Sequence, residues 1–177
     1  YGPADHEFSW LSYLDFPAIN LSMSGDTSET MLDRFEADVL PFHPRYLLIM
    51  NGTNSLRAGV SAVEVIAALD ELKKRCLAND IRPIFLTLPP INPENIARAF
   101  DEPTADDWQT QFSLVNAFLR TEVHIDVAAS FSAQPLLPTE LALDGLHEDV
   151  LGKQLIAQTV NRAWQQAKQE ADQLPMQ

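Results

Sequence analysis

Tyr46-Leu47-Leu48-Ile49-Met50-Asn51-Gly52-Thr53-Asn54-Ser55 begins as an unbroken apolar run and ends in a small, polar turn. The first half is what a strand buried on both faces requires, since neither side alternates with polar residues. The same pattern recurs at Ile81–Leu88, which stops at Pro89-Pro90, and at Val123–Ala128. Pro17–Leu21 reads as a further, shorter strand ahead of them.

Helical patterns separate these runs. Ser61-x-x-Glu64 has the form of a capping box, and behind it Val65, Ile66, Leu69, Leu72, Cys76 and Leu77 recur at helical spacing. Asp26–Val39 reads as a helix, and residues 105–121 as another with Phe112, Val115 and Leu119 on one face. A last helix is expected from about Glu148 to Ala171, its stripe formed by Leu151, Leu155, Ile156, Val160 and Trp164. Strands alternating with helices, the strands apolar throughout, predict a parallel sheet covered on both faces. Residues 89–104 carry prolines at 89, 90, 93 and 103 and read equally as a substrate-facing lid or as a surface excursion.

The chain has 177 residues, room for a single domain, and 46% of them are apolar, enough for a sizeable core. Twelve Lys and Arg against 25 Asp and Glu leave a formal charge of −13. Such a surface repels phosphate backbones and anionic lipid headgroups, which disfavours nucleic acid as a partner. No apolar run approaches the roughly 18 residues of a membrane span. One cysteine, Cys76, excludes an internal disulfide framework, and its place in an apolar stripe makes it a core residue rather than a nucleophile. The histidines lack metal-ligand spacing, so neither a metal nor another cofactor is expected.

In parallel α/β sheets, ligands bind beyond the carboxyl ends of the strands. Ser22-Met23-Ser24-Gly25-Asp26-Thr27 follows the first run, Asn51–Ser55 the second, and the stretch holding Asp144-Gly145-Leu146-His147 the last. A histidine acting as general base needs an acceptor on one ring nitrogen, and a carboxylate three residues earlier on a turn can provide it. The same pair also fits an aspartate near a helix start beside an unrelated surface histidine. The Asn54 amide could donate to a developing oxyanion, or it could serve a turn. Gly25 could present its backbone amide to the same anion or merely make a tight turn, with Asp26 capping the helix that follows. Trp108, beside the proline-rich loop, is the tryptophan best placed to meet a ligand.

Together these segments resemble the SGNH, or GDSL, hydrolase family. Asn20-Leu-Ser-Met-Ser-Gly25-Asp-Thr looks like its second block, Leu48-Ile-Met-Asn-Gly52-Thr-Asn54 like its third, and Asp144-Gly-Leu-His147 like its fifth. The order and spacing of the blocks make the match specific, from about Trp10 to Trp164. The resemblance implies a three-layer α/β/α sandwich with a flavodoxin-like parallel sheet in the order 2-1-3-4-5. It also implies ester hydrolysis, with Asp144 and His147 as catalytic acid and base and with Gly25 and Asn54 in the oxyanion hole. Ser55 stands where the family usually has aspartate.

The family's first block, which carries the nucleophilic serine at the end of the first strand, has no counterpart in the sequence. Tyr1–Asp5 looks like the loop that follows that serine, and Phe8–Leu14 like the next helix. Without its first strand the sheet would have a gap, with unpaired backbone and exposed apolar faces. A segment ahead of Tyr1, or a companion fragment, is therefore expected to bring the strand and its serine. The expected partner is a small-molecule ester, such as an acyl or acetyl ester of a sugar or lipid. Acyl transfer to a hydroxyl would use the same residues, and a site without the serine would bind an ester or glycan without cleaving it. A phosphate loop at Gly52–Ser55 is disfavoured, because the P-loop lysine and the dinucleotide fingerprint are both missing.

Overall fold

The computed structural model describes Glu7, residues 9–131 and residues 135–176. The loop reading at Tyr1–Asp5 lies outside the described residues. Three parallel strands form the sheet: β1 (Tyr46–Ile49), β2 (Arg82–Leu86) and β3 (His124–Ile125), in the order β1-β2-β3. Tyr46 lies opposite Arg82 and Ile49 opposite Phe85, while Phe85 and Leu86 face His124 and Ile125. Pro83 sits in the central strand without breaking it. Arg82 donates its N–H towards β1, to the Arg45 carbonyl, whereas Phe85 and Thr87 donate towards β3, to Val123 and Ile125. The Pro83 nitrogen therefore faces the β3 side, before β3 begins, and no ladder bond is lost.

The strands are apolar on both faces because helices cover both. On one face Phe85 packs with Val65, Leu69, Leu72 and Cys76 of α3 (Ala62–Ala78) and with Phe112, Val115 and Leu119 of α5 (Trp108–Leu119). On the other, Ile84 and Leu86 meet Ile156, Val160 and Ala167 of α6 (Val150–Asp172). Successive strand residues thus feed opposite cores, and the molecule is a three-layer α/β/α sandwich. Cys76 is fully buried, and burial pushes its thiol up to about 12. None of the described helices is long and apolar enough to cross a membrane.

Local chemistry explains the helix ends. Ser61 and Glu64 form the expected capping box, the Ser61 hydroxyl accepting from the Glu64 N–H at 3.3 Å. Asp149 caps α6, its carboxylate accepting from the Gly152 N–H at 2.9 Å. Asn116, buried within α5, accepts from the Leu88 N–H at 2.8 Å and donates to the Leu88 carbonyl at 3.1 Å. That side chain stands in for ladder partners at Leu88, past the end of β2, and it fixes the chain just before Pro89-Pro90.

Five expectations are corrected. Pro17–Leu21 makes no strand, because no neighbouring ladder reaches it; residues 17–23 hold no regular secondary structure. Asp26–Val39 is not one helix. It divides into α1 (Ser28–Asp33), a π-helical turn at Phe35–Val39 and a 3-10 turn at Leu40–Phe42 that contains Pro41. The proline-rich stretch is partly ordered into α4 (Pro93–Ala99), with Asn92 as N-cap and Pro93 at the first helical position, a signature the sequence did carry. Leu151 faces solvent, 57% exposed, instead of joining the α6 stripe. Phe8–Leu14, read as a helix, is a short 3-10 turn at Trp10–Tyr13 among the described residues. It is tied to α6 by Asn161, which donates to the Tyr13 carbonyl at 3.0 Å and accepts from the Asp15 N–H at 2.9 Å.

Candidate active site

A groove of about 740 Å³ runs alongside β1. Leu14 and Phe16–Met23 line one wall and Tyr46–Asn54 the other. Trp164 closes its far end, stacked on Phe16 with ring centroids 4.3 Å apart and edge-on to Tyr46 at 5.4 Å. At the carboxyl end of the strands it opens onto Asp26, Asn54, Pro89-Pro90 and His147. The structure thus gathers the three polar loops that follow the apolar runs around one end of one groove.

The Asp144–His147 turn follows from the chemistry of aspartate. A short carboxylate readily bonds backbone amides two and three residues on. Asp144 Oδ1 accepts from the N–H groups of Leu146 and His147, each at 2.7 Å. That wrap aims the other oxygen, Oδ2, at the His147 ring, 3.0 Å from Nδ1. Burial pushes the Asp144 carboxyl up, but the bonds from the His147 amide, the His147 ring and the Leu146 amide outweigh it and hold the group below the usual carboxylate range. With Nδ1–H donating to the carboxylate, Nε2 carries the ring's lone pair. The imidazole is 40% exposed and meets the Phe100 ring at 6.1 Å between centroids.

Asn54 lies in α2 (Thr53–Arg57), a single turn that starts at Gly52. Gly52 has φ +131°, a conformation closed to most side chains, and a Cβ there would press on Val65 and Leu88 at 3.2 and 3.3 Å. Asn54 Nδ2 donates to the Asp26 carbonyl at 2.9 Å. A primary amide has two N–H bonds, so this anchor leaves the second to point elsewhere. The same two loops are joined again where the Ser28 N–H donates to Ser55 Oγ at 3.0 Å and the Ser28 hydroxyl to Asn51 Oδ1 at 2.8 Å. Ser55, the departure from the family pattern, is thus a buried cross-link between loops.

Gly25 sits at an exposed turn with φ +80°, closed by a bond from the Asp26 N–H to the Met23 carbonyl at 3.2 Å. Its neighbours Met23 and Asp26 line the groove. Asp26 does not cap α1. That role falls to Thr27, which forms a reciprocal box with Thr30, while the Asp26 carboxylate accepts from Thr30 Oγ1 at 2.9 Å and pairs with Arg34. Trp108 is not at the groove. It is 8% exposed in the α3–α5 core, edge-on to Phe112 at 5.2 Å, because the first turn of α5 folds inward.

Sequence reasoning missed Glu148. It lines the groove next to His147 and is paired with Lys153 at 3.2 Å, their side chains only 10% and 13% exposed. Removing one partner of a buried pair leaves the other charge uncompensated. Lys153→Met is therefore expected to lower the unfolding free energy by about 3 kcal/mol in urea denaturation, and Glu148→Gln in the same chain to recover most of the loss. Among the described residues no group of three or more His, Cys, Asp or Glu side chains is arranged to hold a metal ion.

Residues 7–155 match the family model of the GDSL-like lipases and acylhydrolases. Among curated proteins none matches the chain in sequence. Solved structures share the fold. A protein from Desulfitobacterium hafniense assigned to the lipolytic G-D-S-L family is similar at a TM-score of 0.72 and 17% identity, over 88% of each chain. Axe2, an acetylxylan esterase from Geobacillus stearothermophilus, is similar at 0.60 and 24% identity over 78% of this chain and 68% of its own. The acetyl xylan esterase AlAXEase is similar at 0.63 and 17%, over 80% of this chain and 77% of its own. With the family model matched across most of its length, the chain belongs to the GDSL-like lipase/acylhydrolase family, hydrolases of ester bonds.

Proposed function

We propose that the groove end is the site of a serine esterase in which this chain supplies the general base, its orienting carboxylate and two oxyanion donors. The observation that carries the reading is the shared groove: His147, held through Nδ1 by Asp144, and Asn54, anchored through one N–H, both line it. A serine hydroxyl attacks the acyl carbonyl while His147 Nε2 takes its proton. The negative charge that forms on the carbonyl oxygen is met by the second Asn54 N–H and the Gly25 amide. His147 then returns the proton to the departing alkoxide, and water releases the acyl group by the same steps in reverse roles. Asp144 keeps the ring in the Nδ1–H tautomer and stabilises the imidazolium.

The serine comes on an extended segment lying along β1. β1 is apolar on both faces, as central strands are, yet among the described residues it is paired only with β2. The groove follows this free edge, and Ile19, Met23 and Phe42 stand exposed at its rim. A strand entering there places its carboxyl end beside Asn54 and His147. Either a segment preceding Tyr1 or a companion chain would provide it. The substrate class is a small acyl ester, an acetyl group on a sugar hydroxyl being the type named for two structural neighbours. The chain's formal charge of −13 disfavours strongly anionic esters.

The test is a fluorophosphonate applied to the protein as it occurs in its source, with the adduct located by mass spectrometry. A single stoichiometric adduct is expected, on a serine in a segment that co-purifies with the 177-residue chain or continues it. Absence of any adduct would end the esterase reading in favour of an ester-binding site without turnover.

A further inference from the structure

The Asp144–His147 turn rests on α4 at two places. At the first turn of that helix the Asn92 N–H donates to the Gly145 carbonyl at 2.7 Å. At its end the Phe100 ring lies tilted against the His147 ring. A Cβ built on Gly145 would lie 2.0 Å from the Asn92 carbonyl oxygen, 2.6 Å from the Ile96 nitrogen and 2.8 Å from Ile96 Cγ1. The first two are backbone atoms, which cannot swing aside. Gly145 does not have a positive φ, so the demand here is for space and not for a left-handed conformation.

We infer that Gly145 is a positioning residue: its bare Cα lets the turn seat directly on α4, and the seat fixes the direction of the His147 ring. This rests on the reading of His147 as the base. The helix beneath is a firm support, since Ile91 and Ile96 are buried and Asn92 caps it. The turn above is just as stiff. Leu143 donates to the His147 carbonyl and Asp149 to the Leu141 carbonyl, both at 2.9 Å, so the segment is a small antiparallel clip. Gly145 immediately follows the residue that holds the imidazole. Any push at Gly145 must therefore move Asp144 and His147 as a block or break the bond between them. Separating atoms from 2.0 Å to an ordinary contact requires a shift of about 1 Å, and a misplacement of that size costs roughly 100-fold in rate when it reaches a reacting group.

The decisive experiment is Gly145→Ala, read by the tautomer of His147 in long-range ¹H–¹⁵N imidazole spectra, by Tm and by kcat and KM. The wild-type ring is expected to show the Nδ1–H form at a pH where it is neutral. Gly145→Ala is expected to fold, to lose that single tautomer and to show kcat lowered about 100-fold with KM within about threefold. Leu119→Ala, a cavity variant on α5, should lower Tm and leave the tautomer unchanged. If Gly145→Ala does not fold, Ile96→Ala loosens the seat from the helix side and should shift the same ring signals. A wild-type tautomer and kcat in folded Gly145→Ala, or unchanged ring signals in Ile96→Ala, would overturn the inference. A wild type without esterase activity would defeat the functional reading alone, since the tautomer still decides whether the seat orients the ring.

Discussion

His147→Ala is expected to lower kcat by about 10⁴- to 10⁶-fold while leaving KM within a few fold. On the proposed reading the imidazole takes the serine proton while Asp144 holds its other nitrogen, so removing it takes away both the general base and the general acid. Its cost to the fold should be small, because the side chain is 40% exposed. Tm close to wild type together with lost turnover is thus the expected pair of results. Steady-state kinetics on a chromogenic acetyl ester supply the first number and a thermal melt the second. A kcat within tenfold of wild type would remove His147 from the mechanism.

Asn54→Ala is the second large effect, about 10²- to 10³-fold in kcat, or roughly 3 kcal/mol of barrier. The contribution exists only when charge has formed on the carbonyl oxygen, so KM should change little. The variant also loses the bond from Nδ2 to the Asp26 carbonyl, and the two loops would be held together by the bonds of Ser28 with Ser55 and Asn51 and of Asn51 with the Thr27 carbonyl. Asn54→Asp separates the two roles. It retains the side-chain shape but puts an anion where the oxyanion must form, and it should be slower than Asn54→Ala. Equal rates for wild type and Asn54→Ala would exclude Asn54 as a donor.

What the sequence revealed was chemistry confined to neighbours in the chain. The Tyr46 and Ile81 runs announce buried strands because their own composition demands cover on both sides. The Asp144–His147 contact follows from a four-residue turn, and the Ser61–Glu64 box from one helical turn. What stayed hidden depends on distant partners. Pro17–Leu21 has strand composition, but a strand exists only as part of a ladder, and the groove separates this segment from β1. Asp26 has the right chemistry for a cap and is drawn away by Arg34, eight residues on. Trp108 sits beside a proline-rich loop in sequence and inside the α3–α5 core in space. The buried Glu148–Lys153 pair spans five residues with nothing in its local pattern to mark it. Gly145 lies in the turn that the Asp144–His147 spacing suggested, yet the backbone it must clear belongs to a helix some fifty residues earlier.

The lone thiol of Cys76 is sealed on the underside of the sheet, fully buried and held in its neutral form far above neutral pH. Alkylating reagents act on the thiolate and need access to it, so the native molecule is invisible to them. Each labelling event therefore records an excursion in which α3 has lifted from the sheet. Anything that binds the closed form makes such excursions rarer in proportion to its occupancy. The protein carries its own clock for the β1 groove: a peptide or segment that settles there should slow alkylation at a site it never touches.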